Sequence, residues 1–411
     1  MAKPRSSIIF LIFTVLLSYG LYSLGRDIRD TVQKLRKRVP ELVASHGYPI
    51  QEHFLTTSDD YVLCIHRIPH GKIDGTVNPV PILLGHGSSM GSSGFLVGDP
   101  EDYLGYVLAD HGYDVWLINN RGNSYSKNST LHDTSSKPFW DFGFEEMALL
   151  DYPQVIDYII NITGEKSIFF LGTSQGASQF LGLLSDLPDY NSKIRGGVLL
   201  APAIYVNSST AIPFKYSRGG DLYQFISETI FESYEAWLAK DFLMWAAHRL
   251  CSPNGHLHTY CPLLGTILYG EAYLDYDILH HYADHIFHGS SYRSYSHFAQ
   301  WHRSGSFHKY DFGSEDINVE KYGVPEPPIY DLSKVISPTL FVLGGSDEMV
   351  ILTDALRLYN DLPDVIPGKK RKKILFEYSH TDFVVSSRSK TRLFPIILDY
   401  LTEINTQLEG E

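Results

Sequence analysis

The segment Phe169-Phe170-Leu171-Gly172-Thr173-Ser174-Gln175-Gly176 constrains this chain more than any other. It sets a serine between two glycines, after an apolar strand-like stretch and before helical periodicity from Gly176 to Leu187. That is the pattern of a nucleophile elbow. The turn is so tight that a side chain at either glycine would strike neighbouring backbone. A free serine hydroxyl is a poor nucleophile and needs a positioned base, so an acid and a histidine are expected further along, in that order. Asp347 follows the strand-like TLFVL in Gly344-Gly345-Ser346-Asp347, and His380 follows ILFEY in Tyr378-Ser379-His380-Thr381-Asp382-Phe383. Both fall on strand-end loops, where open α/β sheets carry functional residues. In this reading His380 takes the Ser174 proton, and Asp347 holds the imidazole and stabilises the imidazolium. The expected oxyanion donors are the backbone N–H of Gln175 and that of Ser88, in the Gly-rich turn Gly85-His86-Gly87-Ser88.

The surrounding rhythm supports a strand–turn–helix setting. Strands are expected at Tyr61–Ile68, Val80–Gly85, Asp114–Ile118, Ser167–Leu171 and Gly197–Leu200. Helices are expected at Leu104–His111, Glu145–Asn161 and Gly176–Leu187. Such alternation implies a mostly parallel sheet with helices on both faces. The pattern breaks after Ala203 and resumes with strands at Thr339–Leu343 and Lys373–Tyr378, around a helix at Asp354–Tyr359. The expected organisation is a core over 46–202 and 336–411, interrupted by a mainly helical cap over 203–335. Of the 28 tyrosines 14, and of the 18 histidines 10, lie between Tyr205 and Tyr330, so the cap carries the chain's aromatic and histidine excess. Rings with one polar edge suit a surface that meets both water and lipid. The histidines would gain charge as the pH drops towards 6.

At the N-terminus, Lys3 and Arg5 precede an apolar run from Ile8 to Leu17. This is the layout of a secretory signal peptide over 1–25, with Ser23 and Gly25 before a cut at Arg26, or Ser18 and Gly20 before an earlier one. The competing reading is an uncleaved anchor through residues 8–25. A basic amphipathic helix over 26–45 follows. Asn128-Ser-Thr, Asn161-Ile-Thr and Asn207-Ser-Ser are glycosylation triplets, which have meaning in a secretory lumen. A secreted or luminal protein is the expectation. With 34 Lys+Arg against 47 Asp+Glu, the net charge of −13 argues against a nucleic-acid partner. Three cysteines exclude a disulfide-stapled mini-protein and a Cys₄ zinc site. Cys251 and Cys261 are close enough to bridge a small loop, which leaves Cys64 as an odd thiol in an apolar strand.

Three further features call for no catalytic role. His280, His281, His285 and His288 contain an i, i+4 pair, but no clear acidic or Cys partner beyond Asp284, so no metal site is assigned. Lys369–Lys373 reads as a solvated loop before a strand, with docking to an anionic membrane surface as the alternative. Glu145, Glu146, Asp151 and Asp157 read as the polar face of a helix, not as a carboxylate pair for glycoside hydrolysis.

From His46 to the C-terminus the chain resembles the acid lipases, the family of gastric and lysosomal acid lipase. The likeness rests on HGYPIQEHFLTTSDDYVLCIHRIP, His86-Gly87, the stretch from Ala109 through Gly112-Tyr113-Asp114, Trp116 and Arg121, and FWDFGFEEMALLDYPQVIDYI from Phe139. GTSQG, HFAQWHRSGSFHKYDFG from His297, LGGSD and HTDF complete it. The resemblance implies an α/β-hydrolase fold with a cap, and a serine esterase of neutral lipids with Ser174 as nucleophile, Asp347 as acid and His380 as base. It implies Ser88 and Gln175 as oxyanion donors, a cap disulfide between Cys251 and Cys261, and no cofactor. The implied partner is a neutral lipid ester at a lipid–water interface, with transient membrane contact. Two departures stand out: Thr173 where the family has His before the nucleophile, and Ser88 where it has Leu after His-Gly. The rival readings are a membrane-anchored steryl ester hydrolase and a non-catalytic lipid-binding protein on the same fold.

Overall fold

The computed structural model describes residues 5–73, 79–211, 234–236, 240–252, 258–260, 288–364 and 370–410. Its centre is one eight-stranded sheet in the order β1-β2-β4-β3-β5-β6-β7-β8. The strands are β1 Gln51–Thr56, β2 Val62–Ile68, β3 Val80–Gly85, β4 Tyr113–Ile118, β5 Ile168–Thr173, β6 Ile194–Leu200, β7 Thr339–Gly344 and β8 Lys370–Leu375. The hairpin β1–β2 and the β2–β4 pair are antiparallel; every later pairing is parallel. β4 and β5 are buried throughout, as continuous apolar strands in a sheet covered on both faces must be. One apolar layer includes Leu83, Trp116, Phe170, Phe180 and Phe341. The layer on the other side includes Ile82, Leu117, Phe169, Val198 and Leu401.

The chain leaves β3 towards β4 on one side and returns to β5 on the other. Such a reversal of strand order opens a crevice at the carboxyl ends of the two central strands. The loops after β3 and β5 therefore face each other, with Gly85 opposite Gly172 in register. The chain between β6 and β7 makes a long excursion before those neighbours pair in parallel. Its described residues hold helices at Lys240–Cys251, Tyr292–Ser304 and Glu315–Tyr322, and no strand beyond isolated bridges.

The basic run is not a loop: Lys370–Leu375 is the edge strand itself, three residues earlier than the expected one. Its cations are placed by neighbours, Arg371 pairing with Glu403 at 2.6 Å and Lys372 lying 4.1 Å from the Tyr359 ring centre. Charged side chains on an edge strand also discourage pairing with other chains. Of the supposed polar face of the helix at Glu145–Asp157, Asp157 is exposed and pairs with Lys193 at 2.5 Å, whereas the other three acids have partners within the fold. Asp151 is fully buried and binds Arg121, Glu145 accepts from the Tyr310 N–H and Tyr322 hydroxyl, and Glu146 accepts from the Gly143 N–H. Two elements escaped the pattern: strand β1 and a terminal helix Phe394–Glu409.

The N-terminal helix α1 runs unbroken from Arg5 to Ser45, through the expected junction at Gly25. It buries Val32, Leu35, Val39 and Val43. The last two join the layer that holds Ile82, while Val32 and Leu35 meet Met244 of the helix Lys240–Cys251. Asp27 accepts from the Trp245 indole and from Arg249 at 2.8 Å each, which holds its carboxyl below the usual range. Among the described residues no helix is long and apolar enough to cross a membrane.

Candidate active site

Ser174 sits where β5 ends and the helix Gln175–Asp186 begins, at φ 51° and ψ −115°. A non-glycine residue in that region costs roughly 1–3 kcal/mol and persists only where its surroundings enforce it. Here the Ser174 N–H donates to the Leu200 carbonyl at 2.8 Å. The flanking glycines are required by space. A Cβ on Gly172 would lie 2.6 Å from the Ala177 nitrogen, and one on Gly176 would lie 2.4 Å from the Gly85 oxygen. The strain thus aims the Ser174 hydroxyl away from the sheet.

The three expected residues meet. Ser174 Oγ lies 2.9 Å from His380 Nε2, and His380 Nδ1 lies 2.8 Å from Asp347 Oδ2. The other carboxylate oxygen, Oδ1, accepts from the Met349 and Val350 N–H groups at 2.9 and 2.8 Å. These two amides turn the loop after β7 into a fixed socket for Asp347, whose side chain is 1% exposed against 10% for His380. With Asp347 accepting on Nδ1, the neutral imidazole presents Nε2 as the acceptor for the serine proton. The arrangement can generate an alkoxide-like nucleophile and return the proton to a leaving group.

Gln175 is the first residue of its helix, so its N–H has no intrahelical acceptor and lies at the positive end of the helix dipole. Opposite it runs the loop after β3. A Cβ on Gly87 would come within 3.4 Å of the Ser174 Cβ, so this loop passes directly against the nucleophile. The Ser88 hydroxyl donates to the Gln175 Oε1 at 2.6 Å, joining the two expected donor residues through their side chains. Sequence reasoning treated Ser88 as a backbone donor only and gave its hydroxyl no role.

A second missed feature is the His86 side chain. It is buried, and burial pushes its pKa down to about 4. The Asn120 N–H donates to its Nε2 at 3.1 Å, so the proton is on Nδ1, which donates to the Gly87 oxygen at 2.8 Å. His86 therefore ties the donor loop to the end of β4. The signal was present in the His-Gly pair but carried no direction. Contacts from the far side come from the cap segment: the His288 N–H donates to the Ser89 carbonyl at 3.0 Å, and the Ser89 and Tyr295 hydroxyls bond.

The remaining assigned residues lie elsewhere. Asn128, Asn161 and Asn207 are all exposed. Cys251 is disulfide-bonded, Cys64 is a free buried thiol, and Cys261 lies outside the described residues. So do His280, His281 and His285. Of the described cap histidines, His297 is buried, and burial pushes its pKa down to about 3, so this one does not charge near pH 6. A cavity of 880 Å³ lined by Tyr48, Lys72, Glu101, His111, Lys390 and Phe394 contains none of the three meeting residues.

Comparison with known proteins agrees with this architecture. The family model described as alpha/beta hydrolase fold matches residues 80–387, and that of the partial alpha/beta-hydrolase lipase region matches 39–99. The chain is 30% identical over 367 residues to the lysosomal acid lipase/cholesteryl ester hydrolase of Macaca fascicularis, covering 88% of this chain and 90% of that protein. It is 32% identical over 363 residues to human lipase member N, covering 87% and 89%. Lipase 3 of Drosophila melanogaster is 32% identical over 371 residues, covering 87% and 91%. Among solved structures, the alpha/beta hydrolase GrgF from Penicillium sp. sh18 superposes with a TM-score of 0.50 at 14% identity, covering 86% of this chain and 98% of that one. That likeness concerns the fold.

Proposed function

The chain belongs to the acid lipase family of α/β-hydrolases and is a lipid ester hydrolase, and on that premise we propose that Ser174, His380 and Asp347 carry its chemistry. The observation that carries this reading is the continuous chain of contacts Ser174–His380–Asp347 at 2.9 and 2.8 Å, across 206 residues of sequence. Ser174 Oγ attacks the ester carbonyl carbon while His380 Nε2 takes its proton. The carbonyl oxygen becomes an oxyanion, accepted by the Ser88 and Gln175 N–H groups. Collapse breaks the bond to the alcohol oxygen, which receives the proton from His380. A water, deprotonated in turn by His380, then attacks the acyl-enzyme and releases the fatty acid with Ser174 restored. Asp347 stays ionised and offsets the imidazolium charge in both halves.

The substrate we infer is a neutral lipid ester such as a triacylglycerol or steryl ester, met at a lipid–water interface. The exposed Phe242 and Tyr260 of the cap segment support contact with that interface. A luminal or secreted location is supported by the exposure of all three glycosylation asparagines. The core over 46–202 and 336–411 and the cap over 203–335 remain our division of the chain. Ser174→Ala tests the mechanism. Turnover of emulsified triacylglycerol should fall roughly 10⁶-fold, a fluorophosphonate probe should label only the unmodified protein, and the melting temperature should hold. Retained hydrolysis in the purified variant would refute the assignment. Absence of both turnover and labelling in the unmodified protein would instead favour a lipid carrier.

A further inference from the structure

Cys64 is the thiol that neither the cap disulfide nor the catalytic chemistry uses. It lies on β2 two residues before His66, so both side chains project from the same face of the sheet. Strand β1 pairs antiparallel with β2 and brings Glu52 directly opposite His66. Three different donor atoms converge there: His66 Nε2 and Glu52 Oε1 at 3.4 Å, Cys64 Sγ and His66 Nε2 at 3.8 Å, Cys64 Sγ and Glu52 Oε1 at 4.0 Å. Among the described residues this is the one group of three such ligands within a common 4.8 Å. We propose that Glu52, Cys64 and His66 form a zinc site, independent of the hydrolytic centre, that clasps the outer hairpin against the loop following Ser88.

The distances support the choice of ion. Zn–S bonds of about 2.3 Å and Zn–N and Zn–O bonds of about 2.0–2.2 Å in tetrahedral geometry set ligand-to-ligand edges of about 3.3–3.6 Å. The observed edges are within about 0.5 Å of these, and the half-exposed Glu52 side chain can supply the closure. A thiolate, an imidazole and one carboxylate suit zinc better than calcium or magnesium, which prefer oxygen alone. Binding would displace the Cys64 proton to solvent and form the Zn–S bond. The fourth position would be filled by water from the Glu52 side.

The surroundings are those of a metal-ligating histidine. The buried His66 ring bonds through Nδ1 to the Ser92 hydroxyl at 2.6 Å, which leaves Nε2 for Cys64 and Glu52. Histidine ligands characteristically donate their second ring N–H to an oxygen, a part the Ser92 hydroxyl oxygen can take once zinc holds Nε2; the Asn119 side-chain nitrogen lies farther from Nδ1, at 3.4 Å. Ser92 is itself fixed, its N–H donating to Asn119 Oδ1 at 2.9 Å, while the Asn119 amide donates to the Cys64 carbonyl at 3.0 Å. Ser92 lies four residues after the proposed oxyanion donor Ser88, so a metal on His66 would stiffen the base of that loop.

Cobalt(II) is the probe. Added to the purified, chelator-treated full-length protein, it should produce visible tetrahedral bands and a near-ultraviolet thiolate charge-transfer band, and zinc should displace both. Zinc should also raise the melting temperature. Cys64→Ser should lose the charge-transfer band and the thermal shift. Glu52→Gln, at an exposed edge where folding is not at risk, should weaken binding at least as much as the roughly 10–100-fold that losing an outer partner such as Ser92 costs. Absence of the charge-transfer band in the unmodified protein overturns the proposal, as does zinc affinity unchanged in Glu52→Gln. Turnover of a soluble ester by the chelator-treated protein is measured alongside, so that failure of metal binding is distinguished from failure of the catalytic reading.

Discussion

Replacing Asp347 by Asn would separate the orienting role of the carboxylate from its mere presence. The carboxylate serves two sides at once: Oδ1 accepts the Met349 and Val350 N–H groups at 2.9 and 2.8 Å, and Oδ2 accepts His380 Nδ1 at 2.8 Å. An asparagine has only one acceptor atom. Two backbone donors already point at the Oδ1 position, so the amide oxygen should settle there and turn the NH₂ group towards His380. Facing a donor, Nδ1 must give up its proton, and the neutral ring then carries its proton on Nε2. That nitrogen can no longer accept from Ser174, although every heavy atom stays within a few tenths of an ångström. A wrong-tautomer base of this kind lowers kcat by about 10⁴, which is about 5.4 kcal/mol at 1.36 kcal/mol per decade. The assay is kcat on a soluble nitrophenyl ester and on emulsified triacylglycerol, with the melting temperature as control. Folding should be nearly unaffected, because both backbone donors keep an acceptor. A variant that retains a tenth of the original kcat would refute the tautomer argument; one that loses stability as well as activity would show that the socket had collapsed instead.

Ser88→Ala removes the hydroxyl bond to Gln175 but keeps the N–H; one neutral hydrogen bond is worth about 0.5–1.5 kcal/mol, so kcat should fall roughly tenfold at most. Ser88→Pro removes the donor itself and should cost about 10²–10³ in kcat, and equal losses in the two variants would refute the backbone assignment. Arg121 is buried between Asp151 and Asp59 at 2.6 Å each, and Arg121→Met should destabilise the fold by about 3–5 kcal/mol, read in denaturant unfolding, because Asp151 is left as a buried unpaired charge. His86 and His297 titrate near 4 and 3 in the folded protein, below the ordinary value of about 6.5 that they regain on unfolding. Between those values the unfolded chain binds more protons, so stability should fall as the pH drops from about 6.5 towards 4. A His297→Gln variant should show a shallower fall in melting temperature over that range, and identical slopes would count against the buried-neutral assignment.

The parts of the molecule legible in its sequence are those whose cause is local. The elbow is read from five residues because its constraint is steric and contiguous: Gly172 and Gly176 clear the backbone around one strained serine. Asp347 and His380 were found by position after a strand, since parallel strands deliver their ends to one edge of the sheet. The hydroxyl–amide bond between Ser88 and Gln175 was invisible because it depends on how two loops 87 residues apart approach each other. Among the cap histidines, His297 departs from expectation for the opposite reason. Composition counts ionisable groups without their solvation, and burial holds His297 neutral far below pH 6.

Charge patterning failed wherever the partner was distant. Spacing alone made Asp151 a member of a solvated helical face, because periodicity cannot say that Arg121 enters from a loop 30 residues away. Arg121 then takes Asp59 from a second loop and lies 4.1 Å from the Tyr61 ring centre, so three segments share one buried cation. The basic run erred in its backbone and not in its solvation: Lys372 and Lys373 are exposed, but the segment is an edge strand, with Tyr359 and Glu403 receiving the stems and charges of Lys370 and Arg371. Strand β1 shows the same physics from the apolar side. In QEHFLT the side chains alternate between exposed and half-buried, so the segment has too little apolar contrast to register as a strand. Its pairing with β2 nevertheless carries Glu52 to Cys64 and His66, and no reading of YVLCIHRI by itself could have supplied the third ligand.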